Sequence, residues 1–227
     1  MRQRILVMGA SRGIGGFVAR SLVAAGHEVL SVSRTPAEAG QWIAADVTTD
    51  VGIDDVVAAV GPGPLDALLY LGGIWEQGAF GGGYRFLASS RAEVRQVLAV
   101  NLTAPILLVQ ALAPMLAQSR APRVVLMGSL SGTEGGATVE VANTASKFGL
   151  RGAAKALRLA LKDDGVSITV INPGNVATPE VLDDIAQGRT SPQHLVALTD
   201  ITRLIDYLLT CEVGTAPMDI DLGQRGV

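Results

Sequence analysis

The stretch Gly9-Ala10-Ser11-Arg12-Gly13-Ile14-Gly15 has the residue types and spacing to bind an anion. It follows the apolar run Ile5-Leu6-Val7-Met8 and leads into a helical segment that opens at Gly16. Glycines permit a tight turn and let backbone approach a pyrophosphate closely, and a helix start presents unpaired N–H groups to negative charge. The pattern reads G-x-x-x-G-x-G, and a glycine turn of this kind after a buried strand can also serve packing alone. Farther along, Asn143 and Lys147 stand four apart at the opening of another helix. Residues at that spacing share a helix face, so both project toward the strand ends, where Ser129 also lies.

The elements that must position these groups are short apolar runs alternating with longer segments of helical period. Strands are expected at Arg4–Met8, Glu28–Val32, Trp42–Ala45, Ala67–Leu71, Arg123–Met127, Ser167–Ile171 and Met218–Asp221. Helices are expected at Gly16–Ala25, Ile53–Val60, Ala92–Ala117, Asn143–Lys162 and Asp200–Leu209. That alternation predicts an α/β fold of the doubly wound Rossmann type, a seven-stranded, mostly parallel sheet with helices on both faces. At 227 residues, the chain is expected to form a single domain, 1–227.

Composition narrows the function. Hydrophobic residues make up 48% of the chain and charged residues 17%, with 18 basic against 21 acidic side chains and no basic run. This disfavours nucleic acid as a partner. No span is expected to be long enough for a membrane helix and no leader precedes the first strand, so a cytoplasmic location is expected. Cys211 is the sole cysteine, expected to be a buried inert thiol, and His27 and His194 lack ligand spacing, so neither a metal site nor a Ser-His-Asp triad is read.

Five further stretches strengthen the reading of the glycine loop: Asp46-Val47, Val100-Asn101, Gly128-Ser129, Asn143 to Leu150, and Ile171-Asn172-Pro173-Gly174-Asn175-Val176-Ala177-Thr178-Pro179. Their order and spacing, from Arg4 to Gly223, resemble the classical short-chain dehydrogenase/reductase family. The resemblance implies an NAD(P)-binding enzyme that moves a hydride between nicotinamide and a carbonyl or alcohol. It implies cofactor contacts at Gly9, Ser11, Arg12, Gly13, Ile14, Gly15, Asp46, Val47, Gly72, Lys147, Pro173, Gly174, Val176 and Thr178. The catalytic set of the family is Asn, Ser and Tyr-x-x-x-Lys, which maps onto Asn101, Ser129, Asn143 and Lys147. In that family the phenol carries the proton, the lysine holds the ribose and lowers the phenol's pKa, the serine polarises the carbonyl, and the asparagine supports a water relay.

Two departures stand out. Asn143 occupies the tyrosine's place, and a carboxamide orients a carbonyl without protonating an alkoxide. Losing a positioned general acid costs on the order of 10²- to 10⁴-fold in rate. Three accounts stand side by side: a deliberate replacement; another donor, among Tyr70, Glu76, Tyr84 or water held by Lys147 and Asn101; or a reaction without a strong acid at oxygen, such as hydride addition to a conjugated C=C. The second departure is Tyr70-Leu71-Gly72-Gly73 where the family has Asn-Asn-Ala-Gly, with Tyr70 expected to pack in the core.

Charge argues for the cofactor. The second strand ends Ser31-Val32-Ser33-Arg34, without the carboxylate that would bond a ribose 2′-hydroxyl. Arg12, Arg34 and the Ser33 hydroxyl suit a 2′-phosphate instead, which predicts NADP(H). The glycine-rich segment Gly72 to Arg91, with Trp75, Phe80, Tyr84 and Phe86, is expected either to wall the substrate or to cap the core. Pro179 to Leu195 reads as an amphipathic lid or, more plainly, an acidic solvated face. The Ala-, Leu- and Val-rich long helices suit a homodimer or homotetramer. The expected function is NADPH-dependent reduction of an apolar carbonyl or enone. The alternative is a cofactor-binding protein without ordinary redox turnover: a sensor, scaffold or non-redox catalyst.

Overall fold

The computed structural model describes residues 2–79 and 82–225; Phe80 and Gly81 of the glycine-rich segment lie outside the described residues. Seven strands form one sheet: β1 (Arg4–Met8), β2 (Glu28–Ser33), β3 (Gln41–Ala44), β4 (Ala67–Tyr70), β5 (Arg123–Met127), β6 (Ser167–Pro173) and β7 (Asp219–Leu222). The order is β3-β2-β1-β4-β5-β6-β7, and all six pairings are parallel rather than mostly so.

The near-continuous apolar central strands follow from burial on both faces. Side chains alternate, so Leu6 and Leu68 enter one core with Leu108, Leu112 and Leu150. Ile5, Val7 and Leu69 enter the other with Val18, Ile201 and Ile205. The first core is covered by α2 (Asp50–Val60), α4 (Ala104–Leu116) and α5 (Val141–Ala160), the second by α1 (Gly13–Ala24) and α7 (Leu198–Thr210). Two shorter helices, α3 (Arg91–Leu98) and α6 (Pro179–Ala186), complete the set. Because β4 follows β1 on the side opposite β2, connections diverge there, and the crevice opens at the carboxyl ends of these strands.

The expected single helix over Ala92–Ala117 is corrected. α3 passes into a π-helical turn at Ala99–Thr103 before α4 begins. Side-chain bonds into this turn account for the break: Tyr70 Oη donates to the Val100 carbonyl at 2.7 Å, and Asn101 turns inward to pair with Ile74. The expectation that no span could cross a bilayer is also corrected. Arg91–Leu116 is a 26-residue helical run with a window of mean hydropathy 1.8. Its apolar residues have a use here, since Leu108, Val109, Leu112 and Leu116 sit fully buried against the sheet.

Past α7, Cys211 is half-buried rather than buried. Its carbonyl, with those of Glu212 and Thr215, accepts from the buried Arg123 guanidinium, a cation placed at a helix's carbonyl end.

Candidate active site

The carboxyl ends of the strands border a cavity of about 600 Å³. Its floor is the glycine loop. Gly9 has φ +86, and a Cβ on Gly15 would lie 2.2 Å from the Gly9 carbonyl oxygen, so loop and helix start can meet only as glycines. α2, α3 and α6 begin at Thr49, Ser90 and Thr178, whose hydroxyls accept from backbone N–H groups of their first turns. α1 begins at Arg12 with no side-chain cap. Its first amides therefore face the cavity without a side-chain acceptor, which fits an anionic group such as a diphosphate.

Beyond the end of β2, Arg34 is exposed on the cavity wall, and Arg12 faces it from the glycine loop. Arg12 Nε lies 3.9 Å from Glu180 Oε1 on α6, joining the two rims of the groove. Ser33 is buried, and its hydroxyl donates to the Thr35 carbonyl at 2.7 Å, leaving lone pairs but no free proton. Asp46 Oδ1 accepts from Thr48 Oγ1 at 2.7 Å and from Thr48 N–H at 3.0 Å. Those bonds hold its carboxyl below the usual range, and the charge of Arg34 adds a smaller push in the same direction.

At the centre, Lys147 is 6% exposed and lines the cavity together with Ser129. Its Nζ donates to the Met127 carbonyl at 2.9 Å, and burial without a charged partner lowers its pKa from 10.5 to about 8. Ser129 Oγ accepts from Ser131 N–H at 3.1 Å, which leaves its own proton to donate. Asn143 departs from the expectation that it would project into this space. It is 0% exposed and off the cavity wall, its Nδ2 donating to Ser131 Oγ at 3.2 Å. Asn101 is likewise buried behind the wall. Its Oδ1 accepts from Ile74 N–H, and its Nδ2 donates to the Ile74 carbonyl and, at longer range, to Asn143 and Ser146.

Part of the glycine-rich segment seals this buried network. Glu76 Oε1 accepts from Ala142 N–H at 2.7 Å and Asn143 N–H at 3.1 Å, supplying the cap that α5 lacks from its own sequence. Tyr84 Oη accepts from Val141 N–H at 3.4 Å. Ile74 and Trp75, on the same segment, face the cavity. The segment therefore does both things expected of it, walling the cavity and capping the core. Tyr70 packs in the core as expected; its hydroxyl is committed to Val100, and burial, then the charge of Asp46, push its pKa up, so it is a poor acid. α6 carries Glu180 and Asp184 to the cavity rim, so the acidic stretch is not only a solvated face.

All residues assigned above to the cofactor, from Gly9 to Thr178, border this one cavity, Thr178 also as the N-cap of α6. Of the four assigned to catalysis, Ser129 and Lys147 do so and Asn101 and Asn143 do not. Ser131 went unrecognised in the sequence; its place two residues past Ser129, in Gly-Ser-Leu-Ser-Gly, was the available clue.

Known proteins share this chain's sequence pattern and fold. The family profile described as short chain dehydrogenase matches residues 3–187. A short-chain dehydrogenase/reductase of Penicillium canescens is 32% identical over 186 residues, covering 78% of this chain and 70% of that protein. The crystal structure of the TT0495 protein from Thermus thermophilus superposes with a TM-score of 0.81 at 27% identity, covering 98% of both chains. ElxO with NADP bound shares the fold at a TM-score of 0.85 and 18% identity, covering 98% of each.

Proposed function

The chain belongs to the short-chain dehydrogenase family, and on that premise we propose that it is an NADPH-dependent oxidoreductase, acting on a small or medium apolar carbonyl or enone, in which the usual tyrosine is replaced by Asn143. One observation carries the reading: the uncapped start of α1 and the side chains of Ser129 and Lys147 share one cavity.

The first amides of α1 and the Gly9–Gly15 loop would take the diphosphate, Asp46 and Val47 the adenine, and Lys147 the ribose near the reacting carbon. Pro173, Gly174, Val176 and Thr178 would flank the nicotinamide. Arg12 and Arg34 support the phosphorylated form, as does the lack of a carboxylate at the end of β2. When bound, the dinucleotide supplies the hydride. Ser129 donates to the substrate oxygen, Ile74 and Trp75 present apolar surface to its substituents, and the buried amide network holds α5 in register beneath them. The apolar side chains Phe148 and Leu159, exposed on α5, support a homodimer or homotetramer, which sizing would check.

A second reading, a nucleotide-binding protein without ordinary redox turnover, is favoured by the internal pairing of Asn143. Calorimetric titration with NADPH and NADH, followed by NADPH absorbance against ketones and enones beside Asn143→Tyr, separates the two. Tighter binding of NADPH and turnover by the native chain support the first reading. Binding with turnover only in the tyrosine variant supports the second.

A further inference from the structure

Resting on the oxidoreductase reading, we propose that Lys147 is itself the proton donor of this site, giving an ammonium proton directly to the substrate oxygen, with no phenol between them. The other ionisable groups in and around the cavity stand away from Ser129 or behind the wall. Asp46 and Arg34 lie at the ends of β3 and β2, and Glu180 and Asp184 on the α6 rim are paired with Arg12 and Arg189. Tyr70, Tyr84 and Glu76 lie behind the wall and do not border the cavity: the tyrosine hydroxyls meet Val100 and Val141, Glu76 Oε1 holds the first amides of α5, and Glu76 Oε2 is buried without a hydrogen-bond partner among the described residues. Lys147 is the ionisable group that reaches the cavity at the ends of β4 and β5, beside Ser129.

Its surroundings leave protons to give. Among the described residues, Nζ makes one hydrogen bond, to the Met127 carbonyl, and an ammonium carries three N–H donors. Gly73 adjoins the amine: a Cβ there would stand at van der Waals distance, 3.6 Å from Nζ and 3.5 Å from Asn101 Oδ1. The groups placed next to the amine are neutral: the Met127 carbonyl from β5 and the backbone of Gly73, which Asn101 Oδ1 of the π turn also adjoins. Burial alone brings its pKa to about 8, close to the value a general acid needs near neutrality.

The step balances. As hydride adds to the carbonyl carbon, the C=O π pair moves to oxygen. One N–H bond of Lys147 breaks, an O–H bond forms, and the neutral amine regains its proton from solvent. Because the ammonium is the competent form for reduction, the rate should fall as pH rises through about 8.

The chain's three lysines, Lys147, Lys155 and Lys162, make the test direct. In protein labelled with ¹³C-lysine, free and loaded with NADP+, one Cε resonance is expected to titrate near pH 8 and to vanish in Lys147→Arg. With a panel of aryl and alkyl ketones, NADPH oxidation should lose about tenfold per pH unit above that midpoint. Lys147→Arg should lower it on the order of 100-fold or more, with NADPH binding measured separately by calorimetry. Glu76→Gln and Tyr84→Phe should keep the native midpoint. The assignment is overturned by a Lys147 resonance that titrates like a solvated lysine, by a pH limb that survives in Lys147→Arg, or by a native chain that binds NADPH yet reduces no ketone. Failure to bind NADPH would sink the oxidoreductase reading itself, and calorimetry registers that independently of the amine titration.

Discussion

The two halves of the cavity are built on opposite rules. On the β1–β2 side, the wall is backbone with hydrogen-bonding capacity left over: glycines in close contact, a helix start without a cap, and arginines reaching outward. On the β4–β5 side, polar side chains are spent on one another. Asn143 bonds Ser131, Asn101 bonds Ile74, and Glu76 caps α5. A surface with spare donors waits for a ligand, whereas a largely paired network, with the Glu76 Oε2 acceptor left over, fixes geometry and presents Ser129 and Lys147 to the cavity.

The sharpest way to break that contrast is to close the open side. Gly15→Ala places a methyl group 2.2 Å from the Gly9 carbonyl, so loop and helix must part. NADPH affinity should fall on the order of 1000-fold, about 4 kcal/mol, by calorimetry, with the far-ultraviolet dichroism of the sheet retained.

A smaller effect is expected at the amine that serves both sides. The folded pKa of Lys147 is depressed below its unfolded value, so below pH 8 both states carry the proton and the fold bears the burial penalty. Between about 8 and 10.5 the unfolded chain binds more protons, and stability rises with pH. Lys147→Met should therefore be more stable than the native chain at pH 7, by on the order of 2–3 kcal/mol in urea melts, the gap closing above pH 10.

On the paired side, Glu76→Ala strips the acceptor from two amides of α5. We expect a loss of about 1–3 kcal/mol and faster proteolysis within residues 72–91. The smallest effect expected is at the outer edge of the open side. Arg34→Ala should weaken NADPH about tenfold, about 1.4 kcal/mol, and leave NADH unchanged in parallel titrations.

The same contrast explains what the sequence revealed. The open half was legible because its demands are local: a glycine where no Cβ fits, a helix start within the same few residues, a strand end without a carboxylate. The sheet was legible for a related reason, each strand being a short apolar run between turns. The paired half was not, because its bonds join residues far apart. Glu76 meets Ala142 and Asn143 at separations of 66 and 67 residues, and nothing near Asn143 announces that its amide turns toward Ser131. The π turn was hidden likewise, since the apolar period of Ala92–Ala117 reads as one helix and the break depends on Tyr70 and Ile74 from another part of the chain.

The Arg12–Glu180 pair carries a kinetic consequence. Joining two mobile, largely solvated side chains across the groove, it contributes little to holding the fold together. Yet any ligand that recruits Arg12 must take it from Glu180, so the pair acts as a latch on exchange. Because the pair is already open once a ligand holds Arg12, its effect falls on entry, and Glu180→Gln should quicken association most at low ionic strength.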